Sequence, residues 1–141
     1  MAQADGRSVA VGEQLRAAGL RPTRQRLAIA GLLLHGEHRH ISAEGLLTEA
    51  KAAGVPVSQA TIYNILRQFA DAGLIREVLV ESGRTWFDTR TSAHVHLFNE
   101  SSGAITDIDC DPHALGLTDL LDLPADVRIS ELSIVVRVKQ K

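Results

Sequence analysis

The stretch 58-SQATIYNILRQFADAG-73 narrows the possible folds most, because it carries two distinct faces at helical spacing. Ile62, Ile65, Leu66 and Phe69 make an apolar stripe, while Ala60, Tyr63, Asn64 and Arg67 recur at i, i+3, i+4 and i+7 on a second face. Ser58 is placed to cap this helix, since a serine hydroxyl satisfies an otherwise unpaired backbone N–H. A turn, 54-GVPV-57, precedes it, and before that Ser42 caps a helix running to about Ala53, with Glu44 facing its positive end. After Gly73 come 74-LIREVLV-80, the turn 81-ESG-83 and 84-RTWFD-88, which together predict a β-hairpin.

Two earlier helices complete the unit. Val11, Leu15 and Ala18 followed by Gly19 predict a short helix from Ser8, with residues 1–7 frayed. Pro22 and Thr23 open a second helix over 22-PTRQRLAIAGLLLHG-36, where Leu27, Ala30, Leu33 and Leu34 hold the helical period. Three helices, a turn, a helix with a polar face and a hairpin describe a winged helix-turn-helix.

The second face suits duplex DNA. Ala60 can touch a thymine methyl, Asn64 can pair with adenine through two hydrogen bonds, and Tyr63 or Arg67 can reach phosphate or base edges. Gln59 and Thr61 share the first turn of that helix, and Arg21, Arg24 and Arg26 gather where the second helix begins. Candidate DNA-binding residues are therefore Arg21, Arg24, Gln59, Ala60, Thr61, Tyr63, Asn64 and Arg67. The net charge of −2 conceals a polarity: residues 1–90 hold eleven Lys/Arg against nine Asp/Glu, and residues 91–141 hold four against eight. A merely solvated face, or a winged helix used to bind protein, are the competing readings.

From about residue 91 the character changes. Segments 94-HVHLFN-99, 104-AITDID-109 and 129-ISELSIVVRVKQ-140 predict strands, with a helix over 112-PHALGLTDLL-121. A unit of this size cannot bury both faces of a three-stranded sheet, and Ile134, Val135, Val136 and Val138 are apolar on both faces, so it is expected to dimerise. The expected domains are 1–90 and 91–141, the fold class α+β. One cysteine, no apolar run long enough to span a membrane and no secretory pattern point to a cytoplasmic protein without disulfides or a membrane partner.

His94 and His96 alternate on one strand, which sends both imidazoles to one face where they can bind one ion. Asp88 ends the hairpin and His40 leads into the third helix, so a folded-back chain can bring both to the pair. Three imidazoles and a carboxylate suit Zn, Mn or Fe, and four protein ligands close the site against a catalytic water. Cys110 has no second cysteine beside it and is expected to be a plain thiol.

These stretches resemble the ferric uptake regulator (Fur) superfamily: 19-GLRPTRQRLAIAGLL-33, 39-RHISAEGLLTEA-50, 57-VSQATIYNILRQFADAGLI-75 and 84-RTWFDT-89, the likeness covering residues 15–141. Within it, RPTRQR, VPVSQATIYNIL, the FDT-x-x-SAH run and the VVVR-like tail resemble the iron response regulator (Irr) branch. The resemblance implies an interdomain metal site at His40, Asp88, His94 and His96, a minor-groove residue at Arg21 and a reading tyrosine at Tyr63, with Asn64 beside it. It also implies no cysteine-held structural zinc, because 99-NESSG-103 stands where paired Cys-x-x-Cys motifs occur. A further C-terminal metal site is expected to be lost at Val95, Ala114 and Leu132. Irr-type chains carry three consecutive histidines associated with haem, whereas this one reads 94-HVH-96. Haem, if bound, is expected at His94, His96 or His38.

The combined expectation is a homodimeric, iron- or haem-responsive regulator of iron-homeostasis genes, with one divalent ion per subunit and a pseudo-palindromic operator. The alternative is a manganese-, iron- or peroxide-responsive Fur-type repressor without haem chemistry. An enzyme is not expected: a metal-dependent hydrolase would leave the reading helix unexplained.

Overall fold

The computed structural model describes residues 2–81 and 83–141, so Met1 and Ser82, the middle of the expected 81–83 turn, lie outside the described residues. The chain divides into two compact units, one ending at Thr91 and one running from Ser92 to Lys141.

The first unit contains helices α1 (Ala2–Ala17), α2 (Arg24–Leu33), α3 (Ala43–Ala52) and α4 (Gln59–Asp71) and strands β1 (His40–Ser42), β2 (Arg76–Glu81) and β3 (Arg84–Asp88). Three hydroxyls start three helices: Thr23 accepts from the Arg26 N–H at 3.3 Å, Ser42 from Gly45 at 3.1 Å, and Ser58 from Thr61 at 3.2 Å. α1 starts at Ala2, ahead of the expected Ser8, so the segment expected to fray is helical. Once a helix exists, each added residue such as Ala2, Gln3 or Ala4 extends the ladder at little cost. α2 is shorter than 22–36, because Thr23 is its cap and the chain turns at Gly36, whose φ is +94°. α1, α3 and α4 share one ending, in which a left-handed glycine and its successor return N–H groups to the last turn, as in Gly73 to Ala70 (3.0 Å) and Leu74 to Phe69 (2.9 Å).

The apolar stripes meet in one core. Leu15, Ile29, Leu33, Leu46, Ile62, Leu66, Phe69 and Phe87 are each at most 1 % exposed. The sheet order is β1-β3-β2, antiparallel throughout. β1 is absent from the sequence expectation, since three residues are too few to show a period of two. Its register sets His40 opposite Asp88 and Ile41 opposite Phe87.

In the second unit β4 (Val95–Asn99) lies between β5 (Ile105–Ile108), antiparallel, and β6 (Val135–Val138), parallel. The turn from β4 to β5 is closed by its own side chains: Asn99 Oδ1 accepts from the N–H groups of Ser101 (2.9 Å) and Ser102 (3.2 Å). The helix expected over 112–121 is instead two 3-10 turns, Pro112–Leu115 and Leu117–Leu120. Asp111 caps the first as expected of a helix start, but Gly116 at φ +72° takes the left-handed conformation that ends a helix. β6 keeps only four of the twelve residues expected to be extended. Among the described residues no helix is long and apolar enough to cross a membrane.

Candidate functional site

α4 presents its second face as its spacing requires. Gln59, Ala60, Asn64 and Arg67 are exposed, and Tyr63 is half-buried with its ring packed against the core. The Arg67 guanidinium lies 5.8 Å from the Tyr63 ring centroid, a cation–π arrangement that limits where this long side chain can go. Ala43 and Glu44 of α3 join Gln59, Ala60, Tyr63 and Asn64 in lining an open cleft. Thr61 is turned toward the cap, its hydroxyl 2.9 Å from that of Ser58. Arg21 and Arg24 are exposed at the loop before α2 and at its first residue.

Two sets of metal-capable side chains are built, one in each unit. In the first, the β1–β3 register puts His40 across from Asp88, with Nε2 3.1 Å from Oδ2 and the carboxylate only 1 % exposed. The other carboxylate oxygen accepts from the Arg90 N–H at 2.8 Å, which fixes its direction. Arg39 anchors the strand just before His40. Its guanidinium donates to both Glu49 oxygens at 2.6 and 2.8 Å and to the Leu32 carbonyl at 3.1 Å, tying the strand to α2 and α3. The hydrogen bond and charge of Arg39 hold the Glu49 carboxyl below its usual range, and Glu49 in turn raises the guanidinium. Thr89 completes the brace, receiving the Arg39 N–H at 2.9 Å; His38 Nδ1 is 3.4 Å from the same hydroxyl.

In the second unit His94 and His96 do share a face, their ring centroids 4.3 Å apart. The His94 Nδ1 lies 2.6 Å from the Ser92 carbonyl, which only accepts, so Nδ1 donates there and Nε2 is the nitrogen that faces the rest of the set. His94 Nε2 is 3.1 Å from Asp107 Oδ1, and His96 Nε2 is 3.8 Å from the same oxygen. Asp107 is the residue the sequence reading missed. It stands directly across the β4–β5 ladder from His96, as Asp88 stands across from His40.

Imidazole nitrogens facing carboxylate oxygens over such distances call for a cation or a proton between them, and both sets offer the nitrogen and oxygen donors that suit a divalent ion. The backbone hydrogen bond on His94 Nδ1 is the outer support that orients a metal-binding imidazole. By contrast Val95, Ala114 and Leu132 bring no donor atom, and Cys110 is a half-buried thiol 3.8 Å from the Asp111 carbonyl, outside both sets.

A helix-turn-helix with a hairpin wing, followed by a small sheet unit with metal-capable histidines, defines a winged-helix protein equipped for metal binding. The chain belongs to the ferric uptake regulator family, whose profile matches residues 17–115. It is 38% identical over 93 residues to a peroxide-responsive repressor PerR of Staphylococcus aureus (strain Mu50 / ATCC 700699), the match covering 66% of this chain and 62% of that protein. It is 35% identical over 97 residues to ferric uptake regulation protein 1 of Mycolicibacterium fortuitum, covering 68% and 59%. The chain thus spans about three-fifths of the length of these relatives. Among solved structures it resembles a ferric uptake regulator from Pseudomonas aeruginosa with manganese, at TM-score 0.75 and 27% identity, covering 93% of this chain and 98% of that one. The Vibrio cholerae ferric uptake regulator is similar at TM-score 0.75 and 28% identity, covering 92% and 98%.

Proposed function

We propose that the protein is a homodimeric, metal-responsive transcription regulator that binds double-stranded DNA through α4. The observation that carries this reading is the pair of His–Asp rungs, His40–Asp88 and His96–Asp107, with His94 beside the second. Together they supply three imidazoles and two carboxylates. One ion per subunit held by His40, Asp88, His94, His96 and Asp107 joins the reading unit to the second unit. The mixed nitrogen and oxygen donors suit Mn²⁺ or Fe²⁺, with Zn²⁺ as competitor. Such an ion stabilises the arrangement it binds, by no more than its differential affinity for the two states.

In that arrangement Ala60, Asn64 and Arg67, with Tyr63 and Gln59, face the major groove, Thr61 secures the helix start, and Arg21 and Arg24 reach phosphate or the minor groove. A dimer with two such heads calls for a pseudo-palindromic operator. The chain acts as a regulator and not as an enzyme.

Of the two finer readings, the metal- or peroxide-responsive one has more support. Relatives at 38% identity carry the name peroxide-responsive repressor, and Asp107 adds an oxygen donor that favours manganese or iron. An iron-loaded set of histidines is open to oxidation by peroxide, which mass spectrometry of the histidine-bearing peptides detects. The haem reading, with control of iron-homeostasis genes as in the Irr branch, needs His94, His96 or His38 as axial ligand. The His94 side chain is 0% exposed and that of His96 5%, so neither offers a ring edge to a porphyrin, and His38, which is exposed, stands outside the metal-capable group, so haem taken there would leave that group intact. We expect stoichiometric haem to leave operator binding unchanged; release would restore the haem reading.

Binding to a duplex selected from a random pool, followed by fluorescence anisotropy at several salt concentrations, tests the DNA assignment. A steep salt dependence is expected, because displaced counterions accompany phosphate contacts. Absence of duplex binding at any salt would favour a winged helix that binds protein.

A further inference from the structure

Arg26 belongs by sequence with Arg21 and Arg24, yet its side chain is spent on the protein. Its Nε and Nη2 donate to Gln68 Oε1 at 3.2 and 2.9 Å, and its Nη1 donates to the Arg21 carbonyl at 2.9 Å. Its own backbone N–H caps back to Thr23 Oγ1. One side chain therefore joins three pieces: the first turn of α2, the 19–23 loop that carries Arg21, and α4 at the residue following Arg67. Among the described residues the loop's own backbone bonds are local: Gly19 to Arg16, Leu20 to Leu15, Thr23 to Arg21 and Leu27 to Thr23.

We propose that Arg26 and Gln68 form a clamp that fixes Arg21 relative to the reading face of α4, making both positioning residues for operator recognition. The proposal rests on the DNA-binding reading given above. Its logic is preorganisation: Arg21 and α4 address different parts of the duplex, and a loop already held at the right separation loses less freedom on binding than one that must be ordered by the DNA. The clamp is suited to this because a guanidinium offers donors in a rigid fork, reaching a side-chain acceptor and a backbone carbonyl at once, which a lysine cannot reproduce.

Hydrogen exchange of the free protein tests the clamp without DNA. Arg26→Ala and Gln68→Ala should each speed exchange severalfold at Thr23, whose N–H donates to the Arg21 carbonyl, while Leu20, bonded to Leu15, and the interior of α4 stay unchanged. Unaltered exchange at Thr23 in both variants overturns the clamp, whatever happens with DNA. Operator binding then tests positioning. Each single variant should bind roughly fivefold more weakly, the double variant no more weakly than the worse single one, and Arg26→Ala should have little effect in an Arg21→Ala background, as expected for groups acting as one unit. Gln68→Glu, which keeps an acceptor for the fork, should hold affinity near wild type. Additive losses together with a salt slope reduced by about one unit would mean that Arg26 is itself a phosphate contact, and the positioning role falls. If wild-type protein binds no duplex, the regulator reading fails and positioning fails with it, while the exchange data still decide whether the clamp exists.

Discussion

Asp88 and Asp107 stand in equivalent places on different ladders, each across an antiparallel pair from a histidine. Asp88 is nominated by its position at the end of the hairpin, but Asp107 was just as accessible to counting. The Asn99 N–H closes on the Ala104 carbonyl, so Phe98 pairs with Ile105 and two steps back His96 pairs with Asp107. The obstacle was the turn: 99-NESSG-103 allows several closures, and a one-residue slip sends Asp107 to the opposite face. Asp107→Asn removes an anionic donor and keeps the shape, and should weaken Mn²⁺ binding by roughly tenfold or more, measured by competition with a chromophoric chelator. Unchanged affinity would remove Asp107 from the ion's ligands.

At the scale of elements, those with long periods were legible and those defined by a few residues were not. Helices α2 to α4 announce themselves through Thr23, Ser42 and Ser58 and through stripes that end in the core. β1 is three residues long, and its existence depends on pairing with β3, which no local pattern encodes. The segment 112–121 misleads in the other direction, since its leucines mimic an amphipathic helix that Gly116 interrupts. β1 is held by the Arg39–Glu49 brace, and that brace gives a pH prediction. A carboxyl whose folded pKa is depressed contributes stability above its unfolded value and loses it as pH falls through the folded one. The melting-temperature advantage of wild type over Glu49→Gln should therefore be constant from about pH 7 to about pH 5 and shrink toward pH 3. An advantage that grows on acidification contradicts the brace. The cap of α4 is testable as well: Ser58→Ala should cost about 1 kcal/mol in denaturant unfolding.

For the whole molecule, exposed apolar side chains are unevenly shared. Leu115, Leu117, Leu120, Leu121, Leu123, Val127, Val136 and Val138 are all at least 37% exposed in the second unit, whereas Val9 and Leu79 are the large exposed apolar residues described in the first. Apolar surface concentrated in one unit marks an interaction site, and the proposed dimer would cover it. Leu115→Asp combined with Leu120→Asp should shift the protein from dimer toward monomer in sedimentation velocity and weaken operator binding, because a single head loses the second half-site. A dimer unchanged by both substitutions would place its interface elsewhere. The acidic balance of the same unit, eight Asp/Glu against four Lys/Arg over residues 91–141, disfavours contact with phosphate and accords with the proposal that the first unit binds DNA.

The central claim is that an ion taken by His40, Asp88, His94, His96 and Asp107 controls DNA binding. It is tested most directly by titrating Mn²⁺ into metal-free protein with a selected operator duplex, followed by fluorescence anisotropy, for wild type and His96→Ala in parallel. The account predicts tight binding by wild type only after about one equivalent of Mn²⁺ per subunit, reversal by chelator, and no gain for His96→Ala at the same metal concentration. Equal operator affinity with and without metal, in either protein, would contradict it.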